Sequence, residues 1–428
     1  MNREVVITGY GIISPLGIGN EANKNALLQG HGGIKPITLF DTDGLSLKVG
    51  GEIQGFSPAK FFKNRSNVKY TNRSSRFVMA AAAFAKEKAG LTEDNYNPEN
   101  TGLYIGSGET GLEATDFFPA LDVSYDHEKG EIDFKKYGEL GLVELNPFIG
   151  LTSLPNNGLC FLSIEHNIRG QNNNYIKSSV ASGEAIGMAY KSIKWGYADV
   201  IFAGGYDSLI NFFVYLAYEK AGLLPPKGEE IYRVYDRTWN GMIPGEGAGI
   251  VILEELAHAK KRGVPIYGKI TGFAEANEAY DLVQFPPEPE GMIYAIRQAL
   301  QEANASQDEI DLISPQASGL RDGDIYEAKA LRQVFGKQGL KIPVTTFTPL
   351  TGFMGAASGV VDLIYSLFQV EENKILPISN LTHASQREEC ELNLVTQPMT
   401  KDIKRFLNLN YAIGGSSTCL VVEKYGQE

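Results

Sequence analysis

Few residues of this chain could do chemistry, and their spacing argues against most of it. The stretch Ile176–Gly187, IKSSVASGEAIG, combines small residues, a Ser-Gly pair and the start of an amphipathic helix. It has the look of a turn that presents a nucleophile, yet its centre is Val180. A valine side chain cannot attack, transfer a proton or bind a metal. Ser178, Ser179 and Ser182 could be nucleophiles only with a base in hydrogen-bond reach, and a serine at a helix start is expected to cap the helix instead. Five histidines (His31, His127, His166, His258, His383) form neither HxxxH nor HExxH, so no zinc site is expected. Cys160, Cys390 and Cys419 lie far apart without metal spacing, which fits a reduced cytoplasmic protein. GSGETG (residues 106–111) matches G-x-G-x-x-G, but a dinucleotide site then needs an apolar strand ending in an acid. The next residues include DVSYDHEKGEIDFKK, which is no strand, and no cofactor is expected. GEGAG (245–249) lacks the Lys-Ser/Thr of a phosphate loop and reads as a turn packed closely on a strand.

The elements that must position these residues are those of an α/β protein. Strand-like runs at 4–12, 101–108, 198–205, 247–255, 266–276, 311–319 and 407–424 alternate with helical patterns at 76–90, 182–196 and 290–304. The halves echo each other: VVITGYG resembles YGKITGF, and ADVIFAGGYDSLI resembles NLNYAIGGSSTCLVV. Two related halves, 1–255 and 256–428, are expected to meet at the charged stretch AHAKKRGVP, with 122–145 as a polar insertion or loop. With 428 residues, 43% of them hydrophobic, the chain can bury a sizeable core. Acidic residues outnumber basic ones, 51 to 39, for a net charge of −12, which argues against a nucleic-acid partner. No window of eighteen apolar residues suggests a membrane span, and MNREVVITGYG runs straight into a strand without a signal-peptide profile.

The order of these segments resembles the β-ketoacyl synthases of the thiolase superfamily over nearly the whole chain. The landmarks are VVITGYGIISPLG, the stretch LPNNGLCFLSIEHNIRGQNNNYIKSSVASGEAIGMAY, RVYDRTWNGMIPGEGAGIVILEELAHAKKRG and NLNYAIGGSSTCLVV. The resemblance implies a duplicated, five-layer α-β-α-β-α architecture. It also implies where the family's catalytic groups would stand. Val180 occupies the place of the active cysteine, whose thiol the helix N-terminus activates. Gln316, in Gln316-Ala317-Ser318-Gly319-Leu320, stands where the first histidine opens H-G-T-x-T. In the K-S-x-x-G-H pattern, Phe347 replaces the lysine and Gly352 the second histidine. Ile413, in Ala412-Ile413-Gly414-Gly415, takes the place of the gating phenylalanine.

Thiolate attack and histidine-assisted decarboxylation need all of these groups together. The chain therefore resembles the chain-length factors of type II polyketide and aryl polyene systems, the non-catalytic partners of active ketosynthases. Many of them carry glutamine where this chain has Val180. The resemblance implies a heterodimer with a catalytic ketosynthase, formed through about Asn173 to Ser178, and an acyl carrier protein that carries the chain. It further implies a tunnel lined after GSGETG by Leu112, Thr115 and Pro119, spaced i, i+3 and i+7, with Phe118 as a candidate floor; Pro119 is expected to kink or end that helix. Two other readings stand beside this one: an acyl-binding homodimer, and an enzyme of altered acyl-thioester chemistry using Glu184, Asp207 or Glu109.

Overall fold

The computed structural model describes residues 3–108, 113–339, 341–383 and 390–426. In the first half the main strands are β1 (Val5–Ser14), β2 (Thr101–Ser107), β3 (Asn172–Tyr175), β4 (Val200–Ser208) and β5 (Glu246–Glu255). The second half carries β6 (Gly268–Asn277), β7 (Leu312–Ser314), β8 (Pro343–Val344), β9 (Asn393–Leu394), β10 (Arg405–Tyr411) and β11 (Ser416–Glu423). From the centre outward the first half runs β1-β5-β4-β2-β3, and the second β6-β11-β10-β7-β8, with β9 beyond. Rank for rank these are the same order, and the directions repeat as well. β2 is parallel to β3 and β4, as β7 is to β8 and β10. β9 is also parallel to β8, and the remaining pairs in each half are antiparallel. The halves join where β1 meets β6, through Val5↔Ile270, Val6↔Lys269 and Ile7↔Gly268.

Helices fill three layers around these strands. α1 (Arg73–Lys88) and α3 (Asn157–His166) cover the outer face of the first half, α2 (Ala114–Asp122) lies between them in sequence, and α4 (Ala181–Lys194) lies inside. α5 (Glu290–Glu302) and α6 (Arg321–Gly339) cover the outer face of the second half, and α7 (Ser358–Glu372) lies inside against α4. Along β5, Val251 and Leu253 point into the inner core while Ile250 and Ile252 point into the outer one. Strands buried on both faces must be apolar throughout, which is why they read as continuous runs. The expected α-β-α-β-α layering is the one observed, and the echoing segments VVITGYG and YGKITGF fall on the equivalent strands β1 and β6.

Several expectations need correction. The run 407–424 is two strands, broken at a turn where Gly414 and Gly415 have φ of 98° and 88°. The run 311–319 is a three-residue strand followed by a turn in which Ala317 has φ 48°. The stretch 122–145 is not plain loop: it forms a short hairpin, Tyr125–Asp126 with Glu131–Ile132, and then helical turns from Phe134 to Glu144. β3 and α7 give no sequence signal. β3 reads Asn-Asn-Asn-Tyr on an exposed sheet edge, and α7 is buried from Ser358 to Val370, so neither shows amphipathic periodicity.

The first glycine of GSGETG has a packing role. A Cβ on Gly106 would lie 2.4 Å from Ala181 C and 2.5 Å from Ser182 N, because β2 runs directly beneath the first turn of α4. Gly106→Ala is therefore expected to destabilise the fold by about 1–3 kcal/mol through overpacking. Urea unfolding checks this, and an unchanged midpoint would contradict the close-approach argument.

Candidate functional site

Four segments converge where α4 begins. In the first, Ser178 adopts φ 49° and Ser178–Val180 forms a single 3-10 turn that leads into α4. Val180 is 1% exposed. None of the three serines caps the helix, which overturns the capping expectation: Val180 is itself the N-cap, with no side-chain bond. Ser179 Oγ instead donates to the Tyr411 carbonyl at 2.6 Å, and Ser182 Oγ accepts from Val360 N–H at 3.1 Å. The hydroxyls tie the turn to β10 and α7, and that is why small polar residues stand there.

The second segment is the turn after β7. The Gln316 side chain donates from Nε2 to the Tyr411 carbonyl at 2.7 Å and accepts at Oε1 from Tyr411 N–H at 3.1 Å. Its backbone N–H donates to Glu327 Oε1 at 2.9 Å, and Ala317 N–H donates to Glu327 Oε2 at 3.0 Å. Glu327 also accepts from Tyr235 OH at 2.6 Å, while nearby Asp324 accepts from Trp239 Nε1 at 2.7 Å. Burial pushes both carboxyls up to about 7, against the pull of these donors.

The third segment carries Phe347 and Gly352. Phe347 is buried, with its ring 5.5 Å from that of Tyr365 and nearly perpendicular to it. Thr348 Oγ1 donates to the Gln316 carbonyl at 3.0 Å, and Gly352 N–H donates to the Thr348 carbonyl at 2.9 Å. Gly352 has φ 80°, and a Cβ there would sit 2.9 Å from the Pro244 carbonyl oxygen. A histidine fits this position only if the backbone moves. The fourth segment is the turn at Ala412–Gly415, where half-buried Ile413 borders a cavity of about 590 Å³ with Phe285, Leu320, Ile325 and Tyr326.

The structure thus brings Val180, Gln316, Phe347 and Gly352 into one linked region, and none of these side chains is a nucleophile, a base or a cation. Of the tunnel candidates, Thr115, Phe118 and Pro119 lie on α2. Leu112 and the alternative acid Glu109 fall outside the described residues. Thr115, Phe118 and Pro119 occupy the exposed face of α2, opposite buried Asp116 and Ala120. Thr115 borders a cavity of about 100 Å³ together with Arg73, Asn211 and Phe212. The Phe118 ring packs edge-on against Phe212 and Phe213, each at 5.7 Å. Pro119 does not end the helix, which continues to Asp122. Of the other acids, Glu184 pairs with Lys177 at 2.8 Å, a partner not evident from sequence spacing, and Asp207 accepts from Ala356 N–H at 2.9 Å.

Comparison with known families settles the lineage. Residues 2–259 match the beta-ketoacyl synthase N-terminal domain, and residues 267–382 match the corresponding C-terminal domain. The chain belongs to the beta-ketoacyl synthase family. It is 29% identical over 426 residues to a 3-oxoacyl-[acyl-carrier-protein] synthase 2 of Coxiella burnetii, covering 99% of each chain. A Staphylococcus aureus synthase of the same name is 26% identical over 427 residues, again with 99% of each covered. Among solved structures, the ishigamide ketosynthase/chain length factor superposes with a TM-score of 0.89 at 25% identity, covering 100% of both chains. A ketosynthase, ApeO, in complex with its chain length factor, ApeC, from Xenorhabdus doucetiae gives a TM-score of 0.81 at 18% identity, with 99% of this chain and 98% of that one covered. The last comparison shows the fold alone.

The carboxyl pair predicts a pH dependence. Asp324 and Glu327 have folded-state values raised from 3.8 and 4.5 to about 7. Their contribution to stability is complete below the unfolded values and is lost as the pH rises from there through 7. Stability measured by urea unfolding should therefore fall across this window, by up to about 1.4 kcal/mol per pH unit for each group. Glu327→Gln should make the decline shallower. An identical slope in wild type and variant would show that Glu327 does not titrate there.

Proposed function

We propose that this chain is a non-catalytic chain-length factor that pairs with an active ketosynthase and shapes the tunnel for a growing polyketide, aromatic or aryl polyene. One observation carries the reading. At Val180, Gln316, Phe347 and Gly352 the framework of a ketosynthase site is present without a thiol, an imidazole or an amine. Condensation needs an acyl-accepting nucleophile and donors for the decarboxylating malonyl group, and these four side chains offer neither. The reaction must then be supplied by a partner with an intact Cys-His-His set, and the growing chain by an acyl carrier protein.

The surface supports a partner of this kind. β3 has one neighbour, β2, and its outer edge is exposed with no charged residue in it. Ile176 and Lys177 continue that edge towards Ser178 and are exposed too. A bare edge of this kind invites pairing with another chain. The stretch after α2 exposes large apolar side chains to an unusual degree, with Phe134 at 83% and Val143 at 79%, joined by Leu140 and Leu142. Apolar surface on this scale marks an interaction site. Thr115 and Phe118 face outward on α2, so their exposed face is available to a tunnel shared across the interface.

Coexpression with its cognate ketosynthase should yield a stable 1:1 heterodimer, and intact-protein mass spectrometry with activated acyl donors should find the acyl group on the partner alone. An acyl adduct on this chain, at Ser179 or Ser182 for example, would refute the non-catalytic reading. Val180→Cys should not restore condensation, because no histidine supports the new thiol.

Within the reconstituted pair, Thr115→Trp should shorten the product while leaving the heterodimer intact, and Phe118→Ala should lengthen it. Product profiles test this; unchanged lengths in both variants would place the length determinant elsewhere.

A further inference from the structure

The side chain at the family's first histidine position has two bonds that catalysis has no use for. Gln316 forms a closed two-bond ladder with the backbone of Tyr411, Nε2 to the carbonyl at 2.7 Å and Oε1 from the N–H at 3.1 Å. A carboxamide presents its donor and acceptor side by side, in the arrangement of a peptide edge. The two nitrogens of an imidazole point apart and cannot bond both groups of one residue in this way. The Tyr411 carbonyl takes a second bond from Ser179 Oγ at 2.6 Å, and the Tyr411 hydroxyl lies 2.7 Å from Ser318 Oγ.

Tyr411 is the last residue of β10, immediately before the turn that carries Ile413. The far end of that turn is held by Glu278 N–H donating to the Gly415 carbonyl at 2.9 Å. Gln316 is itself fixed at both backbone groups, by Glu327 Oε1 and by Thr348 Oγ1. The near end of the turn is thus held by the hairpin bond from Ala412 N–H to the Ser416 carbonyl at 2.9 Å, by the rigidly mounted Gln316 side chain and by Ser179, which adjoins Val180.

We propose that Gln316 is a latch: it pins the turn Ala412–Gly415 and, through the Tyr411 carbonyl that it shares with Ser179, keeps neighbouring Val180 buried. The inference rests on the reading of Ile413 as the gate position. Under that reading the latch gives this chain a fixed wall in place of a moving gate, so that an acyl chain is held only from the partner's side.

Alkylation kinetics test the latch without reference to product or partner. Val180→Cys places a thiol at a position 1% exposed, and Cys160→Ser removes the exposed native thiol. In this background iodoacetamide should label position 180 slowly, as read by peptide mass. Adding Gln316→Glu, which sets an acceptor against the Tyr411 carbonyl, should accelerate labelling by at least about tenfold through local opening. Hydrogen exchange at residues 411–416 should rise in parallel, with β6 unchanged. Gln316→Ala gives the same reading if the glutamate variant folds poorly. Equal labelling with and without Gln316, or exchange raised evenly across the molecule, would overturn the latch. Failure of the heterodimer to form would leave these rates untouched and bears only on the proposed function.

Discussion

Two helices buried on nearly every side, α4 and α7, fill the slab between the half-sheets, and their first turns set where the site can be. Their close seating depends on glycine. A Cβ on Gly183 would meet Thr418 Oγ1 at 2.7 Å, one on Gly359 would meet Asn410 Oδ1 at 2.5 Å, and one on Gly187 would run into the Phe273 ring at 2.2 Å. With these contacts the helix starts press against β10 and β11, and Ser179 and Ser182 come within bonding distance of Tyr411 and Val360. The slab allows little freedom, because apolar interiors are packed as densely as molecular crystals and resist changes of volume. The geometry of an elbow at Val180 is thus a consequence of core packing and does not depend on any chemistry performed there.

That separation explains how the four segments hold their arrangement whatever side chains stand in them. The hydrogen bonds that hold them run mostly through backbone groups: Gln316 to Tyr411, Thr348 to Gln316, Gly352 to Thr348. Side chains at the four positions are then free to change provided they satisfy or avoid buried polar atoms. Valine and phenylalanine avoid them. Glutamine satisfies two at once, and leaving that backbone pair unpaired would cost on the order of 1–3 kcal/mol per group. Glycine at 352 goes further, since the backbone at Pro244 has closed over the space a side chain would need.

Much of this is legible in the sequence, for reasons that can be named. β1, β4, β5, β6 and α4 stand out because their apolar runs and glycine punctuation are strong. Three features are not legible. α7 shows no stripe because both its faces are buried. β3 is polar because it is a sheet edge, and its role comes from its place in the strand order, not from its own residues. The serines of the turn read as helix caps because capping is a local rule, whereas their partners, Tyr411 and Val360, lie 232 and 178 residues away. Long-range bonds of this kind leave no periodic trace.

The uncharged side chains at the four positions also bear on the buried acids next to Gln316. Asp324, Glu327 and Asp362 are buried close together, and burial raises the carboxyl of each, with Glu327 adding to the shift on Asp362. A lysine or a protonated histidine beside such acids would hold them ionised. Here Phe347 lies against Tyr365, and the Tyr365 hydroxyl itself is pushed upward by burial and by Asp362. Where no cation pairs with a buried acid, its cheaper state is the neutral one. Asp324 and Glu327 are accordingly protonated well below pH 7 and ionise as the pH rises through about 7.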